Sequence, residues 1–342
     1  MHVTRRPETA TRTAQVRELL EGAAGTLRRY GGSAGEPVFS HLPELGDALD
    51  WVGVHGRADE VQAALPVADA LGAAWERLGE LRRGLASLDG LLDAVAREGV
   101  DQTVAVARVR RRRARLAMRA RLDALAEGDL AAAYEVAALH DDPLALSVML
   151  DRVDLATARG DWAAAVALVP ELLRRTEESG DPLLRAMGLN RSAWAALGAG
   201  DLAVARERYE RAWAIAGVHE DGVVESRSAA GLAMVACEEG DLEVARSAWR
   251  QSLGLAERLH DRAFTLHCLD GIALLLALQG RGEPALALLA AASATRAQLA
   301  QPREVPMEAL AARVRSAAPE VSGPPMGYVE ALAAARAAVA RP

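Results

Sequence analysis

The sequence predicts an all-α chain in which antiparallel helix pairs stack as a right-handed solenoid, one pair about every 40 residues. Three observations carry that reading. Gly-Asp recurs at Gly160-Asp161, Gly200-Asp201 and Gly240-Asp241, and the next place in the series falls on Gly280-Arg281, a constant interval of 40. A second series, Asp141, Asp181, Asp221 and Asp261, lies midway, so the chain turns every 20 residues. The composition is that of helix formers: Ala, Leu, Arg and Glu abound, while the aromatics are limited to Trp 6, Tyr 4 and Phe 2.

Taken in order, residues 9–30 read as a helix and Gly31-Gly32-Ser33-Ala34-Gly35-Glu36-Pro37 as a flexible linker, so that 1–37 form an N-terminal arm. Residues 38–127 hold four helices from Leu42 to about Leu125, interrupted at Gly53–Gly56 and at Gly99, which read as degenerate repeats or a cap containing an Arg-rich helix. Gly128-Asp129-Leu130 opens the regular array, 128–300, within which 141–300 form four pairs. Each Gly can take the left-handed conformation that ends a helix, and each Asp can accept backbone N–H bonds as the next N-cap. Asp142-Pro143 and Asp181-Pro182 put proline at the first helical position, where its missing N–H costs nothing. In 301–342, Pro302, Pro306, Pro319, Pro324 and Pro325 surround a short helix, and Tyr328–Ala340 reads as a capping helix.

The inner consensus is more specific. Gly200-Asp201-Leu202-Ala203-Val204-Ala205-Arg206-Glu207-Arg208-Tyr209 aligns without a gap on Gly240-Asp241-Leu242-Glu243-Val244-Ala245-Arg246-Ser247-Ala248-Trp249. A small residue at Ala205 and Ala245 with an aromatic four residues later, at Tyr209 and Trp249, resembles the second helix of a tetratricopeptide (TPR) repeat. Ala193 and Ala233 supply the small residue of its first helix. A unit of 40 rather than 34 implies helices about a turn longer, and a HEAT-like array is the competing assignment. Gly-Asp-hydrophobic-x-x-Ala-Arg units that end in Arg281–Ala292, then Gln301-Pro302 and Pro306, are similar to the C-terminal repeat region of large actinobacterial ATP-dependent transcriptional regulators. That resemblance covers roughly 125–306, with a fainter likeness at Leu45–Leu71. It implies the sensing or partner-binding part of such a regulator, without the ATPase module and DNA-binding domain that precede it there.

Composition closes off much else. Lys plus Arg 40 against Asp plus Glu 47 leaves a net charge of −7, which gives no general attraction for nucleic acid. Every one of the 40 basic residues is Arg, so no P-loop lysine, Schiff base or lysine general base exists, and no nucleotide hydrolysis is expected. The absence of a long apolar run and of a secretion-signal core, with only Cys237 and Cys268, predicts a cytoplasmic protein without a membrane span or disulfide framework. Cys237, His260, His267 and Cys268 lack metal-ligand spacing, and no G-x-S-x-G elbow nominates a nucleophile. No catalytic residue, metal or cofactor is expected.

Two constellations remain. Arg108–Arg121 holds eight Arg in fourteen residues with no acid between Asp101 and Asp123, and Arg108, Arg112, Arg115 and Arg119 fall on one helical stripe. The stripe reads either as a solvated face answered by acids of a neighbouring helix or as a surface for an anionic partner. The repeat also predicts a concave groove lined by first helices. Counting from Ala193 and Ala233 places Met187, Asn190, Trp194, Arg227, Ala230 and Met234 inward, and continuing by 40 adds His267, Asp270 and Leu274. Asn190 can bracket a peptide backbone with donor and acceptor, and Trp194 offers area with one N–H. The expected function is a non-catalytic scaffold binding a protein or peptide in bacterial regulation; the alternatives are a sensor holding a small molecule or peptide in the groove, and an enzyme or biosynthetic accessory protein on a repeat fold.

Overall fold

The computed structural model describes residues 7–30, 41–140, 142–299, 301–317 and 326–340. The expected 31–37 linker, Asp141 and three of the C-terminal prolines (Pro319, Pro324, Pro325) lie outside them. Among the described residues there are sixteen helices and no strand: α1 (Pro7–Tyr30), α2 (Leu42–His55), α3 (Ala58–Leu78), α4 (Leu81–Arg97), α5 (Val104–Arg119), α6 (Asp123–His140), α7 (Asp142–Ala158) and α8 (Trp162–Glu178), then α9 (Pro182–Gly198), α10 (Leu202–Val218), α11 (Gly222–Glu239), α12 (Leu242–Arg258), α13 (Arg262–Leu278), α14 (Gly282–Leu299), α15 (Val305–Ser316) and α16 (Tyr328–Val339). The chain divides into two compact units, the first Met1–Met118 with Leu122–Ala145, the second Arg119–Arg121 with Leu146–Pro342.

The second unit shows how a 20-residue rhythm becomes a helical array. Backbone φ is positive at Gly160, Gly180, Gly200, Glu220, Gly240, His260 and Gly280, one left-handed residue every 20. Each reverses the chain, and at all but Gly280, where Arg281 follows, an Asp comes next and restarts it. Asp161, Asp201 and Asp241 accept from the amides of Ala164, Val204 and Val244 at 3.0, 3.1 and 3.2 Å. Asp181, Asp221 and Asp261 do the same one helix on, for Leu183, Val224 and Phe264 at 2.8, 2.9 and 3.0 Å. Each such cap contributes about 1 kcal/mol.

Alanines at the crossings let the helices approach, and large side chains fill notches left by glycine. Ala193, Ala205, Ala233 and Ala245 are fully buried. The ring of Tyr209 lies where a Cβ on Gly231 would stand, and 40 residues later Trp249 lies where a Cβ on Gly271 would stand. One buried core joins α11 to α16 through Trp249, Leu266, Leu269, Ile272, Leu288, Leu310 and Val339.

In the first unit Gly53 meets the backbone of Gly90, where a Cβ would come within 2.9 Å, so α2 and α4 touch main chain to main chain. Gly128-Asp129 departs from the sequence reading. It lies inside α6 instead of opening a repeat. Asp129 is buried and accepts from Arg113 Nε at 2.7 Å and Nη2 at 2.8 Å, so its carboxylate serves an ion pair and not a cap.

Candidate functional site

First helices of successive pairs in the second unit, with the start of the second helix α8, bring a cluster of rings together. Trp194 on α9 meets Trp162 at the start of α8 edge-on, centroids 6.1 Å apart, and His267 on α13 at 6.2 Å. Phe264 stacks on His267 at 5.1 Å, and the Arg227 guanidinium of α11 lies 5.4 Å from the Phe264 ring centre. Arg227 also pairs with Asp261 at 3.5 Å. Trp162, Trp194, Arg227, Phe264 and His267 are all partly exposed, so apolar area and a cation are presented on one connected surface. Gly198 provides the room for Trp162, whose ring occupies the place of a Cβ.

Behind the rings lie ion pairs, one on a fully buried carboxylate and one on a half-buried carboxylate. Asp270 has no exposure and accepts from Arg296 Nη2 at 2.9 Å and from Arg303 Nε and Nη2 at 3.0 and 2.7 Å. On α7, Asp154 accepts from Arg191 Nε and Nη2 at 3.3 and 3.1 Å. Burial, reinforced by Arg296, Arg119 and Arg227 against the opposing Asp270, pushes the His267 imidazole down to about 4. The ring is therefore neutral at pH 7 and behaves as an aromatic surface. Burial pushes the Cys268 thiol up to about 12 and the Cys237 thiol to about 11, which keeps both as thiols.

The residues named from the sequence are placed as follows. Trp194, Arg227 and His267 meet in the ring cluster. Asn190 is buried, 7% exposed, and its Nδ2 donates to Ser228 Oγ at 3.0 Å. Asp270 is the hub of the buried ion cluster. Met234 is buried against α13, and Met187 packs partly buried beside Leu189 and Val224. Sequence reasoning missed Trp162, Phe264, Arg191, Asp154, Arg296 and Arg303. Two of these were reachable: Asp154 precedes Trp194 by the same 40 residues that relate Trp194 to Met234, and Phe264 lies three residues before His267 on one stripe.

On the Arg-rich helix α5, Arg112 Nε donates to Asp69 at 3.0 Å and Arg115 grips Glu76 through Nε and Nη2 at 2.9 and 2.7 Å. Arg108 is exposed, and Arg119 falls in the second unit. Acids of α3 thus answer the middle of the stripe. Arg112 and Arg115 keep under a fifth of their side-chain surface, so reversing both to Glu sets like charges together in a partly dry place. We expect that double change to lower unfolding free energy by about 2 kcal/mol or more in urea titration; an unchanged midpoint would show that the pairs carry no stability.

Among the described residues, no helix is long and apolar enough to cross a membrane, and no group of three or more His, Cys, Asp or Glu is arranged to hold a metal ion.

The class this architecture defines is the TPR-like helical-repeat proteins. Over 91% of this chain and 96% of the other, the fold is similar to that of a Rap protein solved in complex with competence and sporulation factor, with a TM-score of 0.54 at 12% identity. It is also similar to BtubC (BKLC) from P. vanneervenii over 76% of this chain and 97% of the other, at 15% identity and a TM-score of 0.43. No protein-family profile matches the chain, and no curated protein matches it in sequence. The chain is all-α and TPR-like.

Proposed function

We propose that this protein is a non-catalytic scaffold that takes a peptide or protein segment against the ring cluster of its second unit, in a regulatory role in the cytoplasm. The observation that carries the reading is the partly exposed Trp162–Trp194–His267–Phe264 surface with Arg227 beside it, built on first helices and the start of the second helix α8, and backed by the buried Asp270 cluster. Rings with few rotamers present area at little entropic cost, and an adjacent guanidinium serves carbonyl or carboxylate groups of a chain laid across them. One likeness supports it: the Rap protein of similar fold was solved in complex with competence and sporulation factor. In this reading Asn190 and Asp270 shape the groove from beneath. Arg227, Trp194 and His267 would touch the partner.

The test is selection of a random peptide library on the full chain, followed by affinity measurement on Trp194→Ala. Selected peptides should bind at least about tenfold more weakly to the variant, the loss of an aromatic anchor, with the wild-type circular dichroism retained. Equal affinity for both proteins would place binding elsewhere and defeat the reading.

A further inference from the structure

The second helices α8, α10, α12 and α14 are joined through the first helices between them, and α16 packs on α12, α13 and α14 together. An extra helix thus sits at the interval between two second helices. Its Ala331, Ala335 and Val339, at i, i+4 and i+8, are buried in one core with Leu253 of α12, Leu269 of α13, and Leu288 and Ala291 of α14. Arg336, on one edge of α16, grips Glu257 of α12 at 2.6 Å.

Residues 80 apart hold equivalent places two repeats away. Leu173, Glu177, Leu189, Arg208 and Arg211 are therefore the counterparts of Leu253, Glu257, Leu269, Leu288 and Ala291. These five residues of α8, α9 and α10 line one cavity of about 220 Å³. Their burial shows that no helix covers them: Leu253 and Ala291 are each 1% exposed under α16, whereas Leu173 is partly exposed and Arg211 exposed. Trp213, which holds the place of Leu253 in the pair between, is 37% exposed. The array therefore repeats the seat of α16 without repeating α16.

Charge sets the two seats apart. Where the covered one has Leu288, the cavity has Arg208, which donates to the Ser192 carbonyl at 3.3 Å and has no acidic partner among the described residues. Arg211 beside it is taken by Glu207 at 3.3 Å. A helix laid in the cavity as α16 lies on its own seat would need a carboxylate for Arg208. The place for it follows from the helical turn. Ala334 stands two residues from Arg336, about 200° round the helix, so it occupies the edge away from α12 and toward α14, the counterpart of α10.

We propose that the cavity between α8 and α10 is a docking site for an amphipathic helix of a partner protein, with small apolar residues at i, i+4 and i+8 against Leu173 and Leu189 and a carboxylate at i+3 on Arg208. The helix gains its apolar contact from the floor and its selectivity from one charge-assisted pair. None of these residues belongs to the ring cluster.

The probe is a synthetic peptide of residues 326–340 bearing Ala334→Glu, fluorescently labelled and titrated with the full chain by anisotropy. It should bind saturably and at least about tenfold more tightly than the unsubstituted peptide, the gain of a charged pair on a partly dry guanidinium. Arg208→Glu should reverse the order and favour the peptide bearing Ala334→Arg, and Arg208→Leu, which copies the covered seat, should erase the difference between the Glu and unsubstituted peptides. Both variants should keep the wild-type circular dichroism, since Arg208 is partly exposed and holds no ion pair among the described residues. Trp194→Ala should bind the Glu peptide as the wild type does. The proposal is overturned if neither peptide binds, if both bind the wild type alike, or if the preference for Glu survives Arg208→Glu, which would mean exchange with α16 at its own seat. Weakened binding in Trp194→Ala also overturns it and places the peptide on the rings.

Discussion

Asp270→Ala is expected to destabilise the second unit by about 3–5 kcal/mol, measured by urea titration. Asp270 has no exposure, and its two oxygens take three hydrogen bonds from Arg296 and Arg303, themselves 12% and 7% exposed at the side chain. Removing the carboxylate leaves two guanidinium groups facing one another in the interior, each stripped of water and short of acceptors. The cost is that of the abandoned cations more than the worth of the pair. Two controls separate these effects. Asp270→Asn keeps the shape but not the charge and should recover little. Asp270→Leu combined with Arg296→Met and Arg303→Met removes the whole cluster and should recover most of the loss, because an apolar interior of similar volume needs no counter-charge. A loss below about 1 kcal/mol for Asp270→Ala would mean that water reaches the cluster, and the description of a dry ionic hub would fail.

The residues that make this hub also mark where the sequence stops being legible. Asp270 was placed on an inward stripe by periodicity alone, because residues 40 apart in an array occupy equivalent places. Its partners were not, since Arg303 follows the last regular pair and no period predicts which buried acid it meets. The turns were legible for a local reason: Gly at 160, 180, 200, 240 and 280 and the Asp after most of them satisfy backbone groups within three residues of themselves. Glu220 and His260 hold the same left-handed conformation without being glycine, so there the capping Asp, not the αL residue, carried the signal. Gly128-Asp129 misled by the same logic in reverse. The dipeptide looks like a turn, but Arg113 sits sixteen residues earlier on a packed helix and draws the carboxylate inward. The Arg stripe was visible as a stripe, yet which of its members are answered depended on Asp69 and Glu76 of a helix some forty residues away, a contact no local pattern encodes. Of the candidate site, Trp194, Arg227 and His267 were legible from the period. Trp162 was not, because it stands at the first position of a second helix, where Leu202 and Leu242 stand in the following pairs.

Trp249→Ala is expected to cost a comparable amount, about 3–5 kcal/mol, and it tests the repeat itself. Trp249 is fully buried and holds the place in its pair that Tyr209 holds 40 residues earlier. Truncation loses the transfer free energy of the ring and leaves a hole that rigid helices on several sides cannot close. The notch at Gly271 makes the argument specific. A Cβ there would overlap the indole, so Gly271→Ala should by itself destabilise by roughly 1–3 kcal/mol through overpacking. In the Trp249→Ala background the obstruction is gone. The same methyl then fills part of the hole, and alanine is the better helix former by about 1 kcal/mol, so Gly271→Ala should become neutral or stabilising. The sign change is the decisive reading, because two independent lesions would add. If the two losses sum within about 0.5 kcal/mol, the indole does not sit in the glycine notch and the aromatic-on-glycine register of the array is wrong. If the sign reverses, Gly231 and Tyr209 should show the same coupling one repeat earlier, since the period that relates 231 to 271 also relates 209 to 249.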